Sequence, residues 1–301
     1  MGQFAMGQPV QRFEDPRLLT GRGNYVSDVN FHDQLHGYVV RSPYAHATLT
    51  ALDVSAARQA PGVVGILTHD DVKRAGLGTT HPHLARKRPK DGSPDYWRAH
   101  PGLIPVGSRV RIVGDPIAFV VAETLDQAKD AAELIVADYD VLPSITETVH
   151  ATNDAAVQLY DDFPNNISSI AEAGNKEATE AAFAKAKHVV TQRFVVNRIT
   201  TASMETRGCV GVYDRHEDRY TLYCDTQGPH GSRTELAHVF HVPETSIRIV
   251  ARDIGGAFGL KGTHFPENRL CMLAAREFAR RSNGCASVRN PSFPTIMPAI
   301  A

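Results

Sequence analysis

The chain has few cysteines, and their spacing argues against a metal cluster. Cys209, Cys224, Cys271 and Cys285 are far apart, and no Cys-x-x-Cys pair occurs. Iron–sulfur clusters and structural zinc sites draw on closely spaced cysteines, so we expect this chain to hold neither. Sparse, unpaired cysteines suit a reducing compartment, and we therefore expect a cytoplasmic protein.

Long hydrophobic runs, excess charge and an export signal are also absent. The 301 residues are 42% hydrophobic and carry a formal net charge of -1. No apolar run approaches the roughly 18 residues of a membrane-spanning helix. The first six residues lack the charged and apolar regions of an export signal. We therefore expect a globular protein whose partners are neither nucleic acid nor membrane.

Histidine is plentiful, at 14 residues, but no metal site is predicted. The closest groupings are His81 with His83 and His238 with His241. Neither pair has a third ligand at a spacing typical of metal sites. We expect the first pair in a solvated loop and the second on a helix, where packing and capping are common roles.

Residues 20–141 are predicted to form a mixed α/β module. Its clearest unit is a strand at 117–122, a helix and a strand at 137–141. Thr124 and Gln127 have the spacing of a capping box, which satisfies free backbone N–H groups at a helix start. The other predicted elements are strands at 35–41, 47–54 and 63–67, a short helix at 54–59 and an irregular stretch at 81–103.

A connecting segment at 142–175, rich in Asp, Asn, Ser and Pro, leads to a second module at 176–280. Its final helix begins at Pro266, which is favourable at a first helical position. Hydrophobic residues then recur on one face of that helix, at 270, 273, 274 and 278. The earlier predicted elements are a helix at 176–187, a strand at 188–196, a hairpin of 209–213 and 219–224, a helix at 233–240 capped by Ser232, and a strand at 246–250.

The two ends differ from the modules. Residues 1–19 form an N-terminal extension. Residues 281–301 contain three prolines, no acidic residue and no hydrophobic period, and they cut the final helix in mid-pattern. A flexible C-terminus would account for this. We interpret the segment instead as out-of-frame translation beginning near Arg280 and Arg281, which implies a truncated chain.

The most informative segment is a glycine-rich run at 252–262, which follows a predicted strand. Four glycines within eight residues surround Phe258, so side chains leave backbone N–H groups uncovered. Such a loop can approach an oxyanion or a planar cofactor closely. It is not a P-loop, because Leu260 precedes Lys261 and no Ser or Thr follows. Spacing alone leaves a plain tight turn as an alternative.

A series of ordered segments, taken together, gives a family resemblance over residues 8–280. These segments are 12–17 with 20–23, 40–47, 61–63, 113–118, 204–208, 227–230 and the glycine-rich run. In them the chain resembles the large, molybdopterin-binding subunit of molybdenum hydroxylases, the xanthine dehydrogenase and aldehyde oxidase superfamily. The likeness is greatest to the branch that contains the large chain of aerobic carbon monoxide dehydrogenase.

The resemblance implies an α/β (α+β) fold, in which a hammerhead domain precedes the beginning of the molybdopterin-binding domain. It implies that Gln227 hydrogen-bonds an oxygen ligand of molybdenum, a role that suits a neutral amide donor. Met204 and Glu205 are expected to set local packing, and Glu205 is the carboxylate of interest because burial raises the pKa of an acid. The residues implied to pack against the ligands of molybdenum are Gly255, Gly256, Ala257, Phe258 and Gly259.

The resemblance further implies a molybdenum-dependent oxidoreductase that uses a molybdopterin cofactor in its cytosine dinucleotide form. Electrons would leave through an iron–sulfur small subunit and an FAD-binding medium subunit, because this chain has neither a cysteine cluster nor a dinucleotide fingerprint. The substrate would be a small molecule: an aldehyde, an N-heterocycle or a CO-like compound. Gly262 stands where xanthine- and aldehyde-type members often carry a glutamate just after the loop lysine, so purine specificity is not expected.

No catalytic residue is assigned, because the family's catalytic glutamate lies beyond this sequence. We therefore expect the fragment alone to be inactive and not to retain the cofactor. One alternative is a non-catalytic assembly or interaction protein built on the hammerhead module. Another is a phosphate- or nucleotide-binding protein that uses the glycine-rich run.

Overall fold

The computed structural model describes residues 9–80, 101–153, 155–162, 164–167, 173–196, 199–262, 264–278 and 285–293. The strands in these ranges are β1 (Leu35–Arg41), β2 (Ala47–Asp53), β3 (Val63–Leu67), β4 (Arg109–Val110), β5 (Pro116–Ala122), β6 (Val136–Val141), β7 (Arg207–Asp214), β8 (Arg219–Cys224), β9 (Ile247–Val250) and β10 (Cys285–Phe293). The α-helices are α1 (Asp15–Leu19), α2 (Ser55–Arg58), α3 (His69–Arg74), α4 (Leu125–Glu133), α5 (Lys176–Lys185), α6 (Pro229–Phe240) and α7 (Pro266–Phe278).

The strands form two sheets, and the larger sheet runs through both predicted modules. Its order is β3-β5-β1-β10-β7-β8-β9, and the smaller sheet has the order β4-β2-β6. All seven residues of β5 are buried, in keeping with its unbroken apolar sequence. The predicted mixture of helices and sheets is confirmed. None of the described helices has the length and apolar character to cross a membrane.

Helix α4 begins where the capping box places it. The backbone N–H of Gln127 donates to Thr124 Oγ1 at 3.2 Å, and the backbone N–H of Thr124 donates to Gln127 Oε1 at 3.0 Å. The predicted order of strand, helix and strand is present. However, β6 pairs with β2 in the smaller sheet, whereas β5 lies in the larger one. The order of elements along the chain does not determine which sheet a strand joins.

Strands β8 and β9 are parallel neighbours, and α6 is the crossover between them. The predicted start of α6 at residue 233, capped by Ser232, is wrong. The helix begins at Pro229, and Ser232 is buried inside its first turn, with its Oγ 3.1 Å from Thr226 Oγ1. The polar first turn hides this start from hydrophobic periodicity. Because the carboxyl ends of parallel strands meet at one sheet edge, the segments after β8 and β9 lie together.

Helix α7 lies in the main core. Its residues 267–275 are all buried, which confirms the predicted positions 270, 273 and 274 and extends burial around the helix, while Phe278 is half-buried. The helix packs directly on β7: a Cβ added at Gly211 would lie 2.7 Å from the carbonyl carbon and oxygen of Cys271. Glycine at this position permits the close approach of helix and strand backbones.

The predicted strand at 188–196 is absent, and a strand that the sequence does not predict forms at 285–293. Residues 188–196 form no strand and are exposed. Their valines and phenylalanine favour extended backbone, but a strand needs a neighbour for its N–H and C=O groups, and none of the described strands pairs there. Within the segment interpreted as out of frame, residues 285–293 form β10, which is parallel to β1 and antiparallel to β7.

The out-of-frame interpretation of 281–301 stays a prediction. Strand pairing uses backbone groups that nearly all residues share, so the presence of β10 does not test the reading frame. The ladder of β10 is irregular between Asn290 and Phe293, where Pro291 has no N–H to donate. His81, His83 and most of the predicted irregular stretch at 81–103 lie outside the described residues.

Candidate cofactor-facing loop

The glycine-rich run follows β9 and turns sharply. Gly256 and Gly259 have φ values of 98° and 89°, in the left-handed region that favours glycine. Phe258 also has a positive φ, of 49°, which is rare for an aromatic residue. A single turn of 3₁₀ helix at Leu260–Gly262 ends the run. The segment is thus a tight, partly strained loop, and we call residues 252–262 the glycine loop.

The outer side of the glycine loop is open. The Phe258 side chain is 74% exposed, and a Cβ added at Gly259 would have no neighbour within 4 Å. Gln227 lies beside the loop: its backbone N–H donates to the Lys261 carbonyl at 2.9 Å. A Cβ added at Gly262 would be 3.9 Å from Gln227 Oε1. The structure therefore brings Gln227 together with the end of the loop, although these residues come from the ends of two different strands.

The inner side of the loop carries a buried ion pair cluster. The Lys261 side chain is only 1% exposed, and its ammonium lies 2.7 Å from Asp225 Oδ2 and 3.1 Å from Glu205 Oε2. It also donates to the Glu205 carbonyl at 2.9 Å. Burial raises the pKa of Asp225 above its ordinary value, and the hydrogen bond from Lys261 offsets this only in part.

Glu205 connects the loop with two other segments. Its Oε2 accepts the backbone N–H of Gly255 at 2.7 Å, and its own N–H donates to the Gly255 carbonyl at 3.0 Å. Its Oε1 lies 3.4 Å from the N–H of Val26. The expectation that Met204 sets local packing is wrong, because its side chain is 96% exposed. Glu205, in contrast, is largely buried and contacts both the glycine loop and Val26.

The N-terminal segment docks at the base of the loop. Both terminal nitrogens of Arg17 donate to the carboxylate of Asp253, at 2.5 and 2.6 Å. The backbone N–H of Asn24 donates to Asp253 Oδ2 at 2.7 Å, and its side-chain oxygen accepts from Arg252 at 2.6 Å. The hydrogen bond from Arg17 and the one from Asn24 lower the pKa of Asp253 to about 2.

A second charged group lies between β7 and α7. Glu267 is buried and pairs with Arg41 and Arg207, while Arg207 also stacks on Phe265 at 3.8 Å. Burial alone would raise the pKa of Glu267, but the charges of Arg207 and Arg41 outweigh it and lower that pKa. Arg207, Phe265 and Glu267 line a small cavity together with Asp225 and Lys261. The two charged groups are therefore neighbours.

Within the described residues, no group of three metal-ligating side chains occurs. His238 and His241 have ring centroids 6.2 Å apart, and His241 ends α6 in a left-handed conformation. Sequence reasoning did not find the pairing of Lys261 with Asp225 and Glu205. The sequence shows a lysine next to a glycine run, but no local signal indicates that it is buried or which carboxylates it pairs with.

Comparison with known proteins identifies both modules. The hammerhead domain described as "Aldehyde oxidase and xanthine dehydrogenase, a/b hammerhead domain" matches residues 20–143. The molybdopterin cofactor-binding domain matches residues 159–291. The second match includes Gln227 and the glycine loop, and it extends into β10.

Curated relatives match nearly the whole chain. The nicotine 6-hydroxylase large subunit of Paenarthrobacter nicotinovorans is 35% identical over 271 residues, which cover 90% of this chain and 32% of that protein. The carbon monoxide dehydrogenase large chain of Afipia carboxidovorans is 34% identical over 268 residues, which cover 85% of this chain and 31% of that protein. The chain thus spans about a third of the length of these relatives.

A solved structure gives the same result. Quinoline 2-oxidoreductase from Pseudomonas putida 86 superposes with a TM-score of 0.80 at 32% identity, covering 94% of this chain and 34% of that one. The order of the two domains, the sequence identity and the shared fold agree. The chain belongs to the molybdopterin-binding large subunits of the xanthine dehydrogenase and aldehyde oxidase family of molybdenum oxidoreductases.

Proposed function

We propose that this chain supplies one side of the cofactor site of a molybdenum hydroxylase. The observation that carries the proposal is the placement of Gln227 beside the glycine loop, with the outer side of both exposed. The matched molybdopterin-binding domain covers all of these residues. A bound molybdopterin cofactor would supply the oxidation chemistry, and the protein would supply donors and orientation.

The residues present fit an anionic cofactor. Gln227 offers a neutral amide donor, and the loop glycines leave backbone uncovered on the exposed side. The positive charge of Lys261 is turned inward to two carboxylates, so it supports the loop and does not face the open side. Direct contacts in this proposal therefore come from Gln227 and from the backbone and phenyl ring of 255–259.

The finer identity of the cofactor and partners is also part of the proposal. We infer the cytosine dinucleotide form of molybdopterin, an iron–sulfur small subunit and an FAD-binding medium subunit, in the cytoplasm. The names of relatives support such a complex, because they are large chains or subunits of dehydrogenase complexes. The substrate class stays an aldehyde, an N-heterocycle or a CO-like molecule.

We further propose that the 301-residue chain alone retains little cofactor and is inactive, because the exposed side of the loop has no opposing wall in the described structure. The test begins with the purified chain, expressed in a bacterium that makes molybdenum cofactor. Its molybdenum content is measured by mass spectrometry, and its pterin content by fluorescence after oxidation. We expect far less than one molybdenum per chain, and stoichiometric molybdenum with turnover would refute this statement.

A chimera tests the cofactor-binding role itself. Residues 9–278 of this chain replace the aligned part of a full-length relative, and molybdenum content and activity are measured. We expect both to be retained, and Gln227→Leu to lower activity without changing the thermal midpoint, because the Gln227 side chain is exposed. A folded chimera that carries no molybdopterin would overturn the proposal and favour an assembly or interaction role.

A further inference from the structure

We propose that Glu205 is a positioning residue, which holds the glycine loop in its turned conformation with Lys261 as its counter-ion. That the loop faces a cofactor rests on the proposed function. The contacts that hold it in place are independent of that function. Glu205 lies in the segment before β7, and so it braces the loop from a third part of the chain.

Glu205 binds the loop near both of its ends. Near the start, Gly255 and Glu205 exchange two hydrogen bonds, N–H to Oε2 at 2.7 Å and N–H to carbonyl at 3.0 Å. Near the end, the Lys261 ammonium donates to the Glu205 carbonyl at 2.9 Å and to Oε2 at 3.1 Å. One residue therefore fixes the separation between the two ends of the turn.

The approach at Gly255 is close enough to require glycine. A Cβ added there would lie 2.5 Å from the Cβ of Glu205 and 3.2 Å from its backbone nitrogen. Side-chain Cβ atoms essentially never come so near, so any larger residue would push the loop away from Glu205. Glycine is therefore required at position 255 by the contact with Glu205, independently of any contact with a cofactor.

A carboxylate is the group that can serve all of these donors. Oε1 faces the N–H of Val26, while Oε2 faces Gly255 and Lys261. A glutamine has a single acceptor oxygen, and its NH₂ group would meet one of these donors. Because Glu205 is 12% exposed and Lys261 is 1% exposed, water cannot readily replace the lost partner. Loss of the charge therefore weakens the side-chain hold on the Gly255 amide and on Lys261, while the two backbone contacts of Glu205 remain.

The test measures amide hydrogen exchange in peptides that cover residues 251–262, for the chain as it stands and without any cofactor. In Glu205→Gln we expect the Gly255 amide to exchange about ten- to a hundredfold faster, as for a lost hydrogen bond to a charged acceptor. Peptides from β5 and α7 should keep their wild-type exchange. That selectivity is the readout which general destabilisation would not produce.

Asp71→Asn is the matched control. Asp71 is 18% exposed, accepts the backbone N–H of Thr68 at 2.9 Å and pairs with Arg74 at 2.8 Å. It follows β3, whereas the glycine loop follows β9, and these strands are the two edges of the larger sheet. We expect faster exchange near residues 68–74 in this variant, with the loop unchanged.

A second variant guards against failure of Glu205→Gln to fold. Glu205→Asp keeps the charge but shortens the side chain by one methylene, so it should fold and still expose the Gly255 amide. Wild-type exchange of the loop in both variants, or in the one that folds, would overturn the positioning role while leaving the proposed function intact. Faster exchange in the loop, combined with a chimera that lacks molybdopterin, would instead retain Glu205 as a brace and refute the cofactor site.

Discussion

Replacing Lys261 by methionine is the sharpest perturbation of the buried cluster. Methionine has a similar length and no charge, so the change removes the cation and leaves Asp225 and Glu205 facing one another. Both carboxylates are largely buried, at 8% and 12% exposure. The wild-type cluster contains one cation and two carboxylates, and the variant contains the two carboxylates alone.

The expected loss of stability follows from that charge count. Removing one partner of a buried ion pair costs about 3–5 kcal/mol, because the remaining charge is left uncompensated. Whole domains are stable by only about 5–15 kcal/mol, so the variant should lose a large share of its free energy of unfolding. The assay is urea unfolding followed by circular dichroism, with the variant compared to wild type at pH 7.

Two further variants separate charge from side-chain loss. Lys129 is exposed on α4, so Lys129→Met should change stability by less than about 0.5 kcal/mol. Adding Asp225→Asn to Lys261→Met removes one of the two facing charges and should restore part of the loss. A Lys261→Met variant whose free energy of unfolding lies within about 1 kcal/mol of the wild-type value would refute the reasoning. It would mean that water already screens the charges of the cluster.

The same variant has a defined pH dependence. Burial raises the pKa of Asp225 in the folded chain above its ordinary value of 3.8, and Lys261 opposes that rise. An acid with a raised folded pKa favours folding when protonated, and this stabilisation is lost as the pH rises through the folded pKa. Without Lys261 the pKa should rise further. The difference in free energy of unfolding between Lys261→Met and wild type should therefore become smaller as the pH falls from 7 towards 4.

Close backbone contacts, the Asp253 ion pair and the buried thiols each lead to a further expectation. In urea unfolding, Gly211→Ala should cost about 1–3 kcal/mol because α7 blocks the new methyl group, whereas Gly231→Ala, in open space on α6, should stabilise by up to about 1 kcal/mol. The pKa of Asp253 is lowered to about 2, so the ionised carboxylate stabilises the fold above pH 3.8, and this stabilisation is lost as the pH falls through about 2. Acid-unfolding curves of wild type and Asp253→Asn should therefore converge near pH 2. Burial raises the pKa of Cys224 to about 12, and buried thiols of this kind should react with Ellman's reagent only on unfolding. The thiols concerned are those of Cys209, Cys224 and Cys271.

Most elements could be predicted because their signals are local. The capping box at Thr124, the apolar run of β5 and the period of α7 each depend on neighbours within a few residues, and all three are present in the structure. Apart from the start of α6, which a polar first turn hides, the sequence reasoning fails where the partner strand is distant. Residues 188–196 have strand-forming side chains but no described strand beside them, and β10 forms although its sequence has no period.

In the candidate site, too, local signals could be read from the sequence and distant contacts could not. The glycine loop and Gln227 could be selected from the sequence, because unusual backbone and a family motif mark them. The residues that support them come from separate segments, with Arg17 and Val26 near one end of the chain and Glu205 before β7. Contacts over 50 to 236 positions leave no periodic trace. Only the fold shows which carboxylate meets which cation.

The distribution of charge across the loop indicates which side of a cofactor site this chain provides. A glycine turn that binds an anion could use its lysine for direct contact, as a P-loop does. Here the lysine is buried and already serves two carboxylates, so it has no charge left to offer a ligand on the open side. The cluster instead fixes the turn from beneath, and the groups that our proposal places on the open side, Gln227, Phe258 and backbone amides, are uncharged. In our proposal, any positive charge needed to hold the phosphate of a molybdopterin must therefore come from residues other than these. This agrees with the expectation that the chain alone retains little cofactor, and the chimera separates that weakness from a true absence of function.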